Sequence, residues 1–586
     1  MGLSYIDADL GFEDSLWHPS VNFFEPPSKT PNSSLKIAAL VGDRLFSGLR
    51  YEGYLYLVTP DSWRGIFDFI DPDFLIVESF ISSCTGHWQY GQLDGNISSS
   101  GLREVIDSAK RKGLPCVYWI THGSEYFSYF SSFASLFDHV FCADPKFAEL
   151  LSAEGVSASV LLPAAQPRLH NYMLCEGSSG EFEFPLLVDG LAFLKKCNLP
   201  PGLIDDIKTH GAKFIDSEKF GSCCLGVGKE EYLGSVTPEA LVEVLKRSKV
   251  SLTLGQSSES ETSLAWRSIQ AAACKSLVVH FGELAAGDVR QGVVQLCHTR
   301  EQLIVMLVSA QLDELYRKRI VQKAWRKVYS EHTFSHRVRD IAAILGVRHD
   351  WQEYPLVSVV APTYREAFQQ SLFCNYSKQT YPNKELVLVV NGVVAVSESI
   401  SREGCVRVFS APAEVFAASC LNLGVQNSRG DYCIRMDDDD CYGENFLLDM
   451  ILSLRAVEAA VFGKPPSYLL FEGDGAIYRR CKVKPGLVLG RDSVSNGEKW
   501  LAGNSIGGKR DFLISCPYPE SRAVSADTGF LRCASKMLDE FYVFDDFNVV
   551  AMRRNDVSSH TWGLEEAVLK SKCQRLEGVC AEDILV

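Results

Sequence analysis

Residues 421–447 read LNLGVQNSRGDYCIRMDDDDCYGENFL, an apolar segment running into four consecutive carboxylates, Asp437, Asp438, Asp439 and Asp440. Adjacent carboxylates repel unless a cation or hydrogen bonds compensate them. A strand that ends in acidic residues fits a divalent-metal site, because Mg2+ and Mn2+ take oxygen ligands and bind phosphates through their remaining positions. Two other readings compete. A solvated acidic loop is what most acidic runs are. An EF-hand starting at Asp437 fails, since its turn glycine would fall on Tyr442 and its closing glutamate on Leu448.

Working outward, VSVVAPTYRE (357–366) and QTYPNKELVLVVNG (379–392) precede this stretch and YPESRAVSADTGFL (518–531) follows it. Further upstream, short apolar runs alternate with helix-like segments: LKIAALV, YLYLVTP, DFLIVES, PCVYWIT, HVFCAD, then LLVDG, KFIDS, VSLTL and SLVVHFG. Such alternation predicts parallel sheets with helical crossovers, hence an α/β protein. The expected organisation is an extended lead-in over 1–34, one Rossmann-like half over 35–170, a second over 171–347, the linker RHDWQEYP at 348–355, and a third module over 355–586.

Bulk properties bound the function. A chain of 586 residues is too long for one core. With 46% hydrophobic and 22% charged residues it reads as an ordinary globular protein. A net charge of −15 argues against nucleic acid or anionic lipid as a general partner. No run is long enough to span a membrane, and the N-terminal MGLSYIDADLGFED has neither the basic nor the apolar part of a signal peptide. The 19 cysteines contain no CxxC pair, which points to reduced thiols and a cytoplasmic location.

The four motif stretches from 357 to 531 occur in an order and spacing that resemble family 2 glycosyltransferases of the GT-A fold. The resemblance covers roughly 355–565. It implies a nucleotide-sugar donor, a UDP-sugar being favoured, a glycan or protein acceptor, and Mn2+ (or Mg2+) as cofactor. Thr363, Tyr364 and Glu366 fall where the family holds base and ribose, and Asn391 ends the second strand where many members carry an acidic pair. Asp437 and Asp439 match the DxD carboxylates that bridge metal and diphosphate, with Asp438 beside the donor and Asp440 as a neighbouring ligand. Asp527 matches the aspartate of the family's Glu-Asp motif, the base of an inverting transfer, although Ala526 replaces the glutamate; its plain alternative is a helix-cap or loop aspartate. His560 stands where related enzymes complete the metal shell, and Trp562 is a candidate acceptor-stacking ring. Each has a structural alternative, a core or loop side chain.

PDFLIVESFISSCTGHW (72–88), the stretch 113–144, LLPAAQP (161–167) and EHTFSHRVRDIAAILG (331–346) resemble spore-maturation-type glycosyltransferase-like proteins, whose two Rossmann-like halves form a GT-B arrangement. Candidates for a second site there are Glu78, His122, Glu125, Arg267 and Gln270, with the cluster SSESETS at 257–263. Helix caps or surface polar groups are the plain alternative for each. Gln270 stands where many GT-B enzymes place a ribose-binding glutamate. The N-terminal region is therefore read either as a second transferase or as a non-catalytic acceptor-binding scaffold, and a homo-oligomer is compatible with both. Transfer onto a modified nucleic acid base is a third reading, disfavoured by the acidic balance.

Overall fold

A computed structural model of the chain describes residues 30–586 apart from 90–91, 93–96, 177–182, 190–198, 217–226, 229, 237, 256–260, 285–287, 394, 398–399, 401–403, 481, 521–524 and 556–564. The described residues form two compact units, one from 30–171 and 181–350, the other from 172–180 and 351–586.

The first unit holds two parallel sheets. Strands β1 (Lys36–Leu40), β2 (Tyr54–Leu57), β3 (Phe74–Glu78), β4 (Cys116–Ile120), β5 (His139–Cys142) and β6 (Ser159–Val160) lie in the order β2-β1-β3-β4-β5-β6. FLIVE of β3 and CVYWI of β4 are buried at every position, as strands covered on both faces by crossover helices must be. After β7 (Leu174–Cys175), which belongs to the other unit, come β8 (Leu186–Asp189), β9 (Ala212–Asp216), β10 (Tyr232–Ser235), β11 (Val250–Gly255), β12 (Leu277–Gly282) and β13 (Gln295–Cys297). Their order, β10-β9-β8-β11-β12-β13, is that of a doubly wound Rossmann sheet. Trp119 on β4, Trp266 on the helix Glu261–Ala273 and Phe334 at the head of the helix Phe334–Leu345 pack with ring centroids 6.1–6.2 Å apart, welding the halves through an aromatic cluster.

The second unit is built on a sheet of nine strands. Four parallel strands begin it: β14 (Val357–Thr363), β15 (Lys384–Asn391), β16 (Val406–Ala411) and β17 (Tyr432–Arg435), in the order β16-β15-β14-β17. The sheet continues through β23 (Gly507–Lys509), β19 (Val461–Gly463), β24 (Glu540–Val543), β22 (Leu487–Gly490) and β7. The remaining strands, β18 (Cys441–Tyr442), β20 (Tyr468–Phe471), β21 (Ala476–Arg479), β25 (Val549–Arg553) and β26 (Gln574–Arg575), make a smaller sheet. Residues 172–176, read by sequence as the start of the second Rossmann half, thus pair in this unit instead. Because β15 and β16 lie on one side of β14 and β17 on the other, the strand order reverses at the carboxyl ends of the parallel neighbours β14 and β17. That crevice is where open α/β sheets bind ligands.

The Gly-Asp-Tyr lead into β17 follows from the local packing. A Cβ on Gly430 would lie 2.7 Å from backbone atoms of Leu356 and Ser358, so only glycine lets the chain pass this close to β14. Asp431 then clamps the two strands: its amide donates to the Leu356 carbonyl at 2.8 Å, and its carboxylate accepts from the Leu356 amide at 3.0 Å. No helix among the described residues is long and apolar enough to cross a membrane. The α/β class and the parallel Rossmann-like sheets are those expected from the sequence.

Candidate active site

The end of β17 delivers the four aspartates to the crevice, and the turn that follows sends them in different directions. Asp438 points back toward β14: it is 3% exposed, accepts from the Thr363 hydroxyl at 2.6 Å and is paired with Arg365. It closes the crevice between the strand ends. Asp437, Asp439 and Asp440 bring one carboxylate oxygen each within 4.8 Å of one another.

Each member of this triplet has a distinct set of partners. Asp437 receives two bonds from Arg435, from Nε at 2.5 Å and Nη2 at 3.0 Å, and its amide donates to the Tyr442 hydroxyl at 2.8 Å. Asp439 lies 3.0 Å from Arg365 Nη2 and 3.4 Å from Arg554 Nη1. Asp440 accepts from Asn504 Nδ2 at 2.6 Å and from the Met552 amide at 2.9 Å. Burial pushes the Asp440 carboxyl up to about 8, with Asp437 and Asp439 adding repulsion. Burial likewise raises Asp437, to about 6, against the pull of Arg435.

Asp527 sits in the first turn of the helix Ala526–Ala534, which Ser525 caps by accepting from the Thr528 amide. Its carboxylate is bound by Arg435 Nη1, so one guanidinium spans Asp437 and Asp527. Burial disfavours the Arg435 charge, yet the carboxylates of Asp437 and Asp527 hold its pKa above the ordinary value. The helix is tied to the helix Ala417–Asn427 by Asn422, which exchanges two 2.8 Å bonds with the Tyr518 backbone, while Tyr518 stacks on Phe530 of the Ala526–Ala534 helix at 4.5 Å.

The donor set fits a divalent ion. Five carboxylates, Asp437 to Asp440 and Asp527, meet three guanidiniums, those of Arg365, Arg435 and Arg554. Carboxylates outnumber the guanidiniums paired with them, and the all-oxygen triplet suits Mg2+ or Mn2+.

Other residues singled out by sequence have these positions. Thr363 is buried with its hydroxyl on Asp438, Tyr364 is half exposed beside it, and Glu366 is exposed at the start of the helix Glu366–Ser377. Asn391 donates to the Val415 carbonyl at 3.1 Å. His560 and Trp562 lie outside the described residues, as do 257–260 of the Ser/Glu cluster. In the first unit, Glu78 is buried between the Gly42 amide and the Thr121 hydroxyl, each at 2.8 Å, and burial raises it to about 7. His122 Nδ1 is hydrogen-bonded to Ser79 Oγ at 2.7 Å, and Ser79 Oγ also accepts from the Thr121 amide at 3.0 Å. Glu125 is exposed in the short turn Ser124–Tyr126. Arg267 Nε lies 2.9 Å from Asp189, beside a cavity of about 20 Å³, and Gln270 is half-buried one turn further along the same helix.

Arg365, Arg435, Asn504 and Arg554 were not among the sequence candidates. Arg435 had a local signal, since residues two apart on a strand share a face and Arg435 precedes Asp437 by two. The others are joined to the aspartates only by tertiary structure.

Residues 358–486 match the Glycosyl transferase family 2 profile, and residues 193–343 match the profile described as Glycosyl transferase-like. The first match contains the aspartate run and ends before Asn504 and Asp527. An uncharacterized glycosyltransferase of Haemophilus influenzae is 28% identical over 92 residues, which are 15% of this chain and 37% of that protein. Glycosyltransferase GlyG of Streptococcus pneumoniae is 30% identical over 130 residues, 21% of this chain and 42% of that protein. The chain thus spans about two fifths of the length of these curated relatives. Among solved structures, the mannosyltransferase PcManGT from Pyrobaculum calidifontis, in complex with GDP-Man and Mn2+, aligns at 19% identity and a TM-score of 0.25 over 34% of this chain and 57% of that one. Both profiles that match describe glycosyltransferases.

Proposed function

We propose that the protein is a divalent-metal-dependent glycosyltransferase whose C-terminal unit moves a sugar from a nucleotide-sugar donor to a hydroxyl of a glycan or other acceptor. The observation that carries this reading is the convergence of Asp437, Asp439 and Asp440 at the carboxyl edge of β17, with Asp527 joined to them through Arg435. A metal held there would neutralise charge gathering on the departing nucleoside diphosphate. The chain's own residues supply the rest. Asp527 accepts the proton of the acceptor hydroxyl as that oxygen bonds to the sugar C1 and the C1–phosphate oxygen bond breaks, which inverts the anomeric centre. The half-exposed Tyr364 ring is the surface offered to the nucleotide base. UDP-sugars are the donors to test first.

The experiment is a panel of nucleotide sugars assayed for Mn2+-dependent hydrolysis and transfer, with Asp439→Ala alongside wild type. Asp439→Ala is expected to lower turnover more than about 100-fold. Transfer at the wild-type rate by that variant would sink the proposal.

For the N-terminal unit, the engagement of Arg267 by Asp189 at 2.9 Å favours a non-catalytic role in acceptor binding or assembly over a second transfer site. Calorimetry with the active nucleotide sugar is expected to give one site. Two saturable sites, one surviving Asp439→Ala, would reverse this assignment.

A further inference from the structure

Arg435 is the last residue of β17, a strand fixed on both flanks. Its Cα registers with Val360 of β14, its amide donates to the Ile506 carbonyl at 3.0 Å, and the preceding Ile434 registers with Gly507 of β23. The side chain is 14% exposed, and all three guanidinium nitrogens bind carboxylates: Nε and Nη2 hold Asp437, and Nη1 holds Asp527. The second carboxylate is confined from its other side as well, because an added Cβ at Gly503 would lie 2.0 Å from Asp527 Oδ2. A rigid planar fork on a rigid strand thus sets the spacing between a metal-ligand candidate and the proton acceptor candidate.

From this geometry we infer that Arg435 is a positioning residue: it orients Asp437 for the metal and Asp527 for the acceptor hydroxyl at once, coupling metal binding to proton transfer. The inference rests on the function proposed above. It assigns Arg435 a role that charge balance alone does not demand, since any cation at this place would neutralise the pair. Lysine keeps the charge but has one compact ammonium in place of the fork, so it cannot serve both carboxylates with the same geometry.

The test uses the full chain with Arg435→Lys, Arg435→Gln, Asp527→Asn and the double variant Arg435→Lys/Asp527→Asn. Mn2+ affinity is measured on the nucleotide-free protein by electron paramagnetic resonance, and kcat and KM with the active donor. Arg435→Lys is expected to weaken Mn2+ binding and to lower kcat, each by about 10- to 100-fold, with a smaller change in donor KM. At saturating Mn2+, where the weaker metal binding is overcome, Arg435 acts on turnover through Asp527, so the double variant assayed there should have a kcat no lower than Asp527→Asn alone. Should Arg435→Lys fail to give folded protein by circular dichroism, Arg435→Gln is read by the same three measurements. Wild-type Mn2+ affinity and kcat in Arg435→Lys would overturn the inference, as would losses that multiply in the double variant. Wild-type turnover by Asp527→Asn would instead overturn the functional reading of Asp527, while a loss of Mn2+ affinity in Arg435→Lys would still report on Asp437.

Discussion

At the scale of single residues, the site depends on close approaches as much as on charges. Gly503 opens a short turn, Gly503–Ser505, whose next residue, Asn504, donates to Asp440 and accepts the Tyr442 hydroxyl on its carbonyl. Gly503 does not occupy the left-handed region, so alanine is compatible with its backbone; the obstacle is the Asp527 carboxylate at 2.0 Å. Gly503→Ala is therefore expected to push Asp527 off Arg435 and leave the fold intact. Turnover should fall about 100-fold with the melting temperature nearly unchanged, since an ångström of misplacement is enough at a reacting group. A Gly503→Ala enzyme with wild-type kcat would show that the Asp527 position does not govern the reaction. Nothing in the sequence announces this glycine. The aspartate run was legible because four like charges in a row demand a local explanation. Asp527 was placed by resemblance, and its partner Arg435, 92 residues away, becomes a partner only once the chain is folded.

Elements were legible where burial dictates composition. The strands β3 and β4 are nearly continuous apolar runs because both faces are covered, and they lie in DFLIVES and PCVYWIT, which the sequence reading assigned to a parallel sheet. β7 was not legible, because two residues carry no periodicity and their pairing is set by the free edge of β22. What anchors this strand is Met173, 1% exposed in the core of the C-terminal unit, together with Glu176, which accepts from the Gly490 amide at 2.8 Å, from Ser493 at 2.5 Å and from Lys499 at 2.7 Å. Met173→Ala removes buried apolar volume and is expected to cost this unit about 2–5 kcal/mol. Differential scanning calorimetry should show the transition that responds to Mn2+ and nucleotide moving down. If instead only the other transition moves, residues 172–176 do not contribute to the stability of the C-terminal unit.

At the scale of the whole molecule, the separate cores of the two units predict two unfolding transitions and a ligand effect confined to one of them. The buried aspartates give that effect a pH dependence with a definite sign. Without a cation, the folded state holds protons on Asp440 up to about 8 and on Asp437 up to about 6, whereas the unfolded chain releases them near the ordinary aspartate value of 3.8. The folded state therefore binds more protons across that window, so this contribution to stability is fully present below about pH 4 and is lost as pH rises through about 8. A divalent ion replaces those protons and binds more tightly once they have left. The Mn2+-induced rise in the melting temperature of the C-terminal unit should accordingly be larger at about pH 8.5 than at about pH 6, with proton release measurable by calorimetry in buffers of different ionisation enthalpy. A shift that is equal at both values, or larger at the lower one, would mean that Mn2+ does not enter through Asp437 and Asp440, and the metal assignment would have to move to other ligands.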